Sequence, residues 1–167
     1  MDCIDLFKRA AVALQTDSRY LVLDQTRKAN DKDEELQNMI GEFNLARMDL
    51  NNEIGKDKLS RYTANIAFAG FTAPKLLWLR DNEPENFARI EKIMLPKDYI
   101  NYKLTGVHCT DYSDASGMLL LDVQHKCWSK EMLDICGVSE AKMPKLFESW
   151  EPVGTLTAEA AAKLGLP

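Results

Sequence analysis

The sequence predicts an α+β chain: an N-terminal α-helical bundle segment followed by a mixed α/β region. Three observations lead there. Apolar residues of the first sixty positions recur at helical spacing, and neither Pro nor Trp occurs before Pro74. Beyond Asn65 the texture changes to short apolar runs alternating with capped helical stretches, the pattern of an α/β layer fold. The helix starts and stops in that second half are marked by Ser, Thr and Pro on one side and Gly on the other.

Taken in order, Ile4, Phe7, Ala11 and Leu14 form one helical stripe, with Asp2, Asp5, Lys8 and Arg9 around it. Asp17 in "QTDSRY" predicts the N-cap of a second helix running to about Ala29. Asp31 followed by Glu34 has capping-box spacing. Leu36, Ile40, Phe43, Ala46, Leu50 and Ile54 then mark one face of a long helix. Further on, Thr72 is expected to cap a helix with Pro74 in its first turn, and Pro84 to open a short one. "KIMLP" and "GMLLLDV" read as buried strands. "KDYINYKLTG" reads as a helix closed by Gly106, with Asp98 as its cap. Ser129 with Gly137, and Thr157 with Gly165, bracket two more.

Bulk composition narrows the function classes. With 46% hydrophobic and 28% charged residues over 167 positions, the chain can bury a real core. A formal charge of −5, with acids interleaved among bases, argues against a general nucleic-acid or membrane-surface partner. No apolar run has the length of a membrane span, and "MDCIDLFKRAAVALQ" has acids where a signal peptide needs bases. A cytoplasmic location is the resulting expectation, with Cys3, Cys109, Cys127 and Cys136 as free thiols. His108, Cys109, His125 and Cys127 are a zinc-compatible ligand set, but no CxxC knuckle is present and no metal is expected.

Motifs that carry chemistry on their own are scarce. The first sixty residues hold no His and no glycine-rich turn. The second half has no GxxxxGK loop, no GxGxxG and no HxxE pair. "TDYSDASG" gathers Asp111, Ser113, Asp114 and Ser116 beside a glycine. Such residues can orient a sugar hydroxyl or a metal-bound phosphate, and they equally cap turns.

Two resemblances add to this reading. The stretch "MDCIDLFKRAAVALQTDSRYLVLDQTRKANDKDEELQNMIGEFNLARMDLNNEI" resembles the YlbF/YmcA family of small helical proteins over residues 1–60. That implies a non-enzymatic module with a helical protein partner or self-association. After a junction over 61–68, "GFTAPKLLWL", "NEPENFARI", "IMLPKDYINYKLTG", "TDYSDASGMLLLDV" and "PVGTLT" resemble the N-terminal domain of FGGY carbohydrate kinases, and within them the xylulokinase group. This second resemblance implies an incomplete actin-like (ribonuclease H-like) α/β domain over 69–167. It also implies ATP-dependent phosphorylation of D-xylulose in the intact family.

The kinase resemblance makes Phe71, Thr72 and Lys75 substrate-cleft candidates, with Asp111, Ser113, Asp114 and Ser116 supporting the same cleft. Gly70 stands where the resemblance puts a substrate-contacting Tyr in glycerol-specific relatives. The general-base aspartate of the family lies in a "GGGD" segment expected beyond Pro167, and a helical stretch stands where its phosphate-binding hairpin is expected. The chain is therefore expected to be chimeric or truncated and to have no catalytic residue of its own. It is expected to bind neither ATP nor Mg by itself, and to engage a sugar only when the missing kinase segments are supplied.

Overall fold

A computed structural model describes residues 20–22, 34–68 and 70–166, with side chains from residue 41 onward except Glu53. The predicted stripe at Ile4–Leu14, the Asp17 cap and the Asp31 capping box lie outside the described residues. One expectation there is corrected. Tyr20–Val22 is a strand, β1, paired in parallel with β2 (Lys92–Met94), rather than part of a helix. Aromatic and β-branched residues suit a pleated strand, and Ile93 offers a fully buried partner.

Helix α1 (Glu34–Asp49) continues through a π-helical turn, Leu50–Gly55, into α2 (Lys56–Thr63). Gly55 adopts φ +84°, a value a side chain would resist, so the chain changes direction there. Within the described part of the predicted stripe, Phe43 and Ala46 are half-buried and Leu50 is buried. Phe43 meets Trp78 edge-on at 5.5 Å, and the Trp78 indole donates to the Glu42 carboxylate. Asn51 then clamps Ala67, donating to its carbonyl (3.2 Å) and accepting from its N–H (3.3 Å).

Helix α3 (Thr72–Asn82) buries Ala73, Leu76 and Leu77 in the core, and α4 (Pro84–Ala88) follows it. Helix α5 (Pro96–Thr105) has Pro96 at its first position and the buried Asp98 carboxylate accepting from the Leu95 N–H at 3.0 Å. The expected cap at Asp98 is thus the reach-back half of a capping box. Gly106 closes α5 at φ +74°. Strand β3 (Cys109–Asp111) runs into α6 (Tyr112–Ser116), and β4 (Leu121–Asp122) pairs antiparallel with β5 (Cys127–Trp128). Next come α7 (Lys130–Cys136), β6 (Lys145–Phe147) and α8 (Ala158–Leu164). Ser129 and Thr157 cap α7 and α8, and Gly137 and Gly165 end them, as expected.

Strand β6 pairs in parallel with β3, Cys109 facing Lys145 and Asp111 facing Phe147. The result is a mixed α/β arrangement whose core gathers Leu59, Leu76, Ile93, Met118–Leu121, Met132 and Cys136. "GMLLLDV" is only partly the strand expected. Residues 117–119 form a turn with Leu119 at φ +61°, Met118, Leu119 and Leu120 are buried, and strand pairing begins at Leu121. The Met118 carbonyl accepts instead from the Ala73 N–H (3.1 Å), while the Leu120 carbonyl accepts from the Ser129 N–H (2.8 Å), one step beyond the β4–β5 pairs in the same register.

Candidate functional site

The parallel pair β3–β6 directs Asp111 and the turn after Phe147 to the same end, the carboxyl end of both strands. In α/β sheets this is where ligands bind. The segment "TDYSDAS" starts there, and its local structure follows from its residues. Asp111 N-caps α6 by accepting from the Asp114 N–H at 3.0 Å, and Ser116 donates to the Ser113 carbonyl at 2.6 Å. Across the pair, Ser149 donates to Asp111 at 3.2 Å. Over the outer side, Lys126 bonds Glu148 at 2.6 Å and sits 5.1 Å above the Tyr112 ring.

The centre of this end is a residue the sequence did not single out. Lys97, in the first turn of α5, places Nζ 2.7 Å from Asp98, 2.8 Å from Asp111 and 3.4 Å from Asp114. It also donates to the Thr110 hydroxyl at 3.3 Å. One ammonium thus joins α5, β3 and α6. Burial alone would lower the Lys97 pKa, but hydrogen bonds to Asp111 and Asp98 and their charges raise it well above its ordinary value. Burial likewise works to raise Asp111, yet Lys97, the Asp114 N–H and Ser149 bring it below the usual carboxylate range. Asp98 goes the other way: it has no exposed surface, and burial raises its pKa against the pull of Lys97. The one legible hint was a Lys–Asp pair directly after Pro96 at a helix start.

The other three candidates lie on α3. Thr72 is not the N-cap; extended Phe71 is, and Thr72 is the first helical residue with its side chain fully buried. A threonine turned into the core cannot reach back to cap the turn. Its hydroxyl has no hydrogen-bond partner among the described residues. Phe71 is half-buried against Phe68, ring centroids 5.4 Å apart, and Lys75 is half-buried one turn on. The segments that carry the two groups meet next to them: Ala73 N–H donates to the Met118 carbonyl, and the Asn65 side-chain amide donates to the Ser116 carbonyl at 3.1 Å. The structure therefore places both groups on neighbouring elements. Ser113 and Asp114 are exposed, and Ser116 is half-buried.

The cluster around Lys97 does not fit a magnesium ion. Its three carboxylates, Asp98, Asp111 and Asp114, are engaged by the ammonium, and among the described residues no group of three His, Cys, Asp or Glu side chains could hold a metal ion. His108 turns its ring to the Ile93 carbonyl (2.9 Å), and His125 pairs with Asp122 (2.7 Å). No helix among the described residues is long and apolar enough to cross a membrane.

Comparison with known proteins places this geometry. The FGGY family of carbohydrate kinases, N-terminal domain, matches over residues 45–167, so the match reaches back into α1 and overlaps the helical resemblance over 45–60. The chain is 48% identical over 109 residues to the xylulose kinase of Lactococcus lactis, covering 65% of this chain and 22% of that protein. With the xylulose kinase of Escherichia coli it shares 46% identity over 104 residues, covering 62% of this chain and 22% of that one. The xyloylose kinase of Brucella ovis superposes with a TM-score of 0.68 at 42% identity, over 73% of this chain and 25% of that one. A ligand-bound xylulose kinase of Lactobacillus acidophilus gives 0.70 at 27% identity, over 75% and 26%. The chain thus spans about a fifth to a quarter of the length of these relatives. Over residues 45–167 it belongs to the FGGY family of carbohydrate kinases, as a match to their N-terminal domain.

Proposed function

We propose that this chain is a piece of a xylulokinase-type carbohydrate kinase, the part that carries one wall of a sugar cleft. The observation that carries this is the 48% identity over 109 residues to a xylulose kinase. In the intact family the reaction is ATP-dependent phosphorylation of D-xylulose. Phosphoryl transfer depends on positioning and on stabilising charge at the γ-phosphate. On this reading the nucleotide site and the general base come from the remaining family length, so the chain alone is expected not to turn over. What they contribute is shape and polar edge: Ser113 and Asp114 exposed at the carboxyl end of β3, with Phe71, Thr72 and Lys75 on the neighbouring helix.

The test is an ATP-dependent phosphorylation assay on D-xylulose with three samples. The chain alone should show no turnover. A polypeptide carrying the remaining family length should be inactive alone and active when mixed with this chain. Turnover by the chain alone, or inactivity of the mixture when the two polypeptides co-purify, overturns the reading.

A second reading is favoured by one observation. Helix α1 leaves Leu45 60% and Met48 47% exposed, apolar surface of the kind that protein partners cover. On that reading the N-terminal segment is a YlbF-like interaction module with a passenger tail. Deleting residues 65–167 would then leave partner binding intact, and loss of binding on deletion would rule it out.

A further inference from the structure

We propose that Lys97 is the positioning residue of the candidate cleft: its ammonium holds the Asp111–Ser116 turn against α5, so that Ser113 and the outer edge of Asp114 stay presented at the carboxyl end of β3 and β6. The proposal rests on the sugar-cleft reading above for its purpose, but not for its test. Two of the other bonds on this turn are local, Asp114 N–H to Asp111 and Ser116 to the Ser113 carbonyl, and the Asn65 side-chain amide reaches only the Ser116 carbonyl at its far end. Ser149 reaches Asp111 alone. Lys97 comes from a separate helix and touches β3 and α6 at once, through Thr110, Asp111 and Asp114.

Charge makes the role specific. Three carboxylates, Asp98 from α5, Asp111 from β3 and Asp114 from α6, converge on one point with a single ammonium between them. Like charges this close repel unless a cation separates them. Removing the ammonium leaves the turn pushed outward from α5 and loosens the cap bonds of Asp114 and Gly117 within it. Keeping it leaves the exposed edge of Asp114 and the Ser113 hydroxyl as acceptors for the hydroxyl groups of a polyol, the class of ligand this edge can take. Arg offers a charge of the same sign and several donors, so it should serve in part. Met keeps the aliphatic stem and loses the charge.

The experiment uses the chain itself, with Lys97→Met and Lys97→Arg, and reads two quantities. Carboxyl carbon NMR follows the titration of Asp111, and amide hydrogen exchange follows the Asp114 and Gly117 N–H groups, with Met132 and Leu133 in α7 as reference. In Lys97→Met the proton affinity of Asp111 should rise about tenfold or more. Exchange at Asp114 and Gly117 should quicken about tenfold while α7 stays as in the wild type. Lys97→Arg should stay within about threefold of wild type in both.

An unchanged Asp111 titration in Lys97→Met overturns the proposal, and so does equal acceleration in α7, which would make Lys97 a general stabiliser. If Lys97→Met does not fold, Asp114→Asn keeps the question open to decision. Losing that one partner should quicken exchange within α6 several-fold while Asp111 still titrates low, and unchanged exchange counts against the proposal. No step of this test requires phosphoryl transfer, so an inactive mixture of the two polypeptides refutes the kinase reading without touching it.

Discussion

The two groups of candidate cleft residues are held in place by opposite physics. On α3, Thr72 and its neighbours Ala73, Leu76 and Leu77 are fixed by burial, with Thr72, Ala73 and Leu76 showing no exposed surface. At β3 and α6, Asp111 and Asp114 are fixed by one ammonium, by helix capping and by Ser149, with Asp111 partly and Asp114 half in water. Packing is insensitive to pH and salt and expensive to disturb; charge networks at a surface are the reverse. The difference teaches which part of this wall can be tuned without unfolding the rest.

The largest expected effect comes from breaking the packed side. Leu76→Ala deletes a fully buried side chain and should cost about 2–5 kcal/mol in urea unfolding. It should leave the depressed titration of Asp111 unchanged in whatever fraction stays folded. A shift of Asp111 would mean the two groups are one cooperative unit.

Next in size is Asp98→Ala, which strikes the charged side where it is most buried. It orphans the Leu95 N–H and removes one partner of Lys97. The expected cost is about 1–3 kcal/mol, read from the same unfolding curves. An unchanged midpoint would show that α5 does not depend on its capping box.

Thr72→Val sharpens the comparison in the other direction. The buried Thr72 hydroxyl has no partner among the described residues, so an apolar side chain of the same shape should raise stability by about 1 kcal/mol. If the complemented kinase loses activity at the same time, the orphan hydroxyl is kept for the ligand. A loss of stability would show that the hydroxyl is satisfied.

The smallest effect is on pH dependence. Burial lowers the His108 pKa, against the opposing pull of the Ile93 carbonyl. The neutral ring donates from Nε2 to that carbonyl, since a carbonyl can only accept. A base with a depressed folded pKa contributes stability that is fully present above its ordinary pKa of 6.5 and falls away as the pH drops through that value towards the folded pKa. His108→Gln supplies an uncharged donor near Nε2 and should flatten the stability profile over that window, checked by urea unfolding at stepped pH. Asp111 has the usual carboxylate sign, its contribution vanishing only as the pH falls through its lowered pKa, whereas Asp98, raised by burial, opposes it.

Legibility in the sequence followed the range of the forces. Ser129, Thr157, Gly106, Gly137 and Gly165 end up in the roles their neighbours imply, because a cap is a bond within three or four residues. Asp98 is legible for the same reason. Thr72 misleads because a threonine before Pro74 looks like a cap, whereas burial draws its side chain inward and shifts the cap to Phe71. Tyr20–Val22 misleads because its helical context is local, while its pairing partner is more than seventy residues away. Of the candidate site, the Asp111–Ser116 turn was legible as a polar cluster, but the ammonium that organises it was not. Lys97 and Asp111 are fourteen positions apart, and no periodicity links them.

By itself, then, the sequence determined the mixed helical and α/β texture, the caps and closures of the second half, and the residues that resemble a sugar-kinase domain. Each of these depends on bonds or patterns spanning a few residues. Tertiary structure alone decided that α1 packs on α3 through Phe43 and Trp78, that β3 and β6 lie parallel, and that three aspartates converge on Lys97. Those outcomes depend on which distant surfaces meet, and burial and like-charge crowding become energies only once they do.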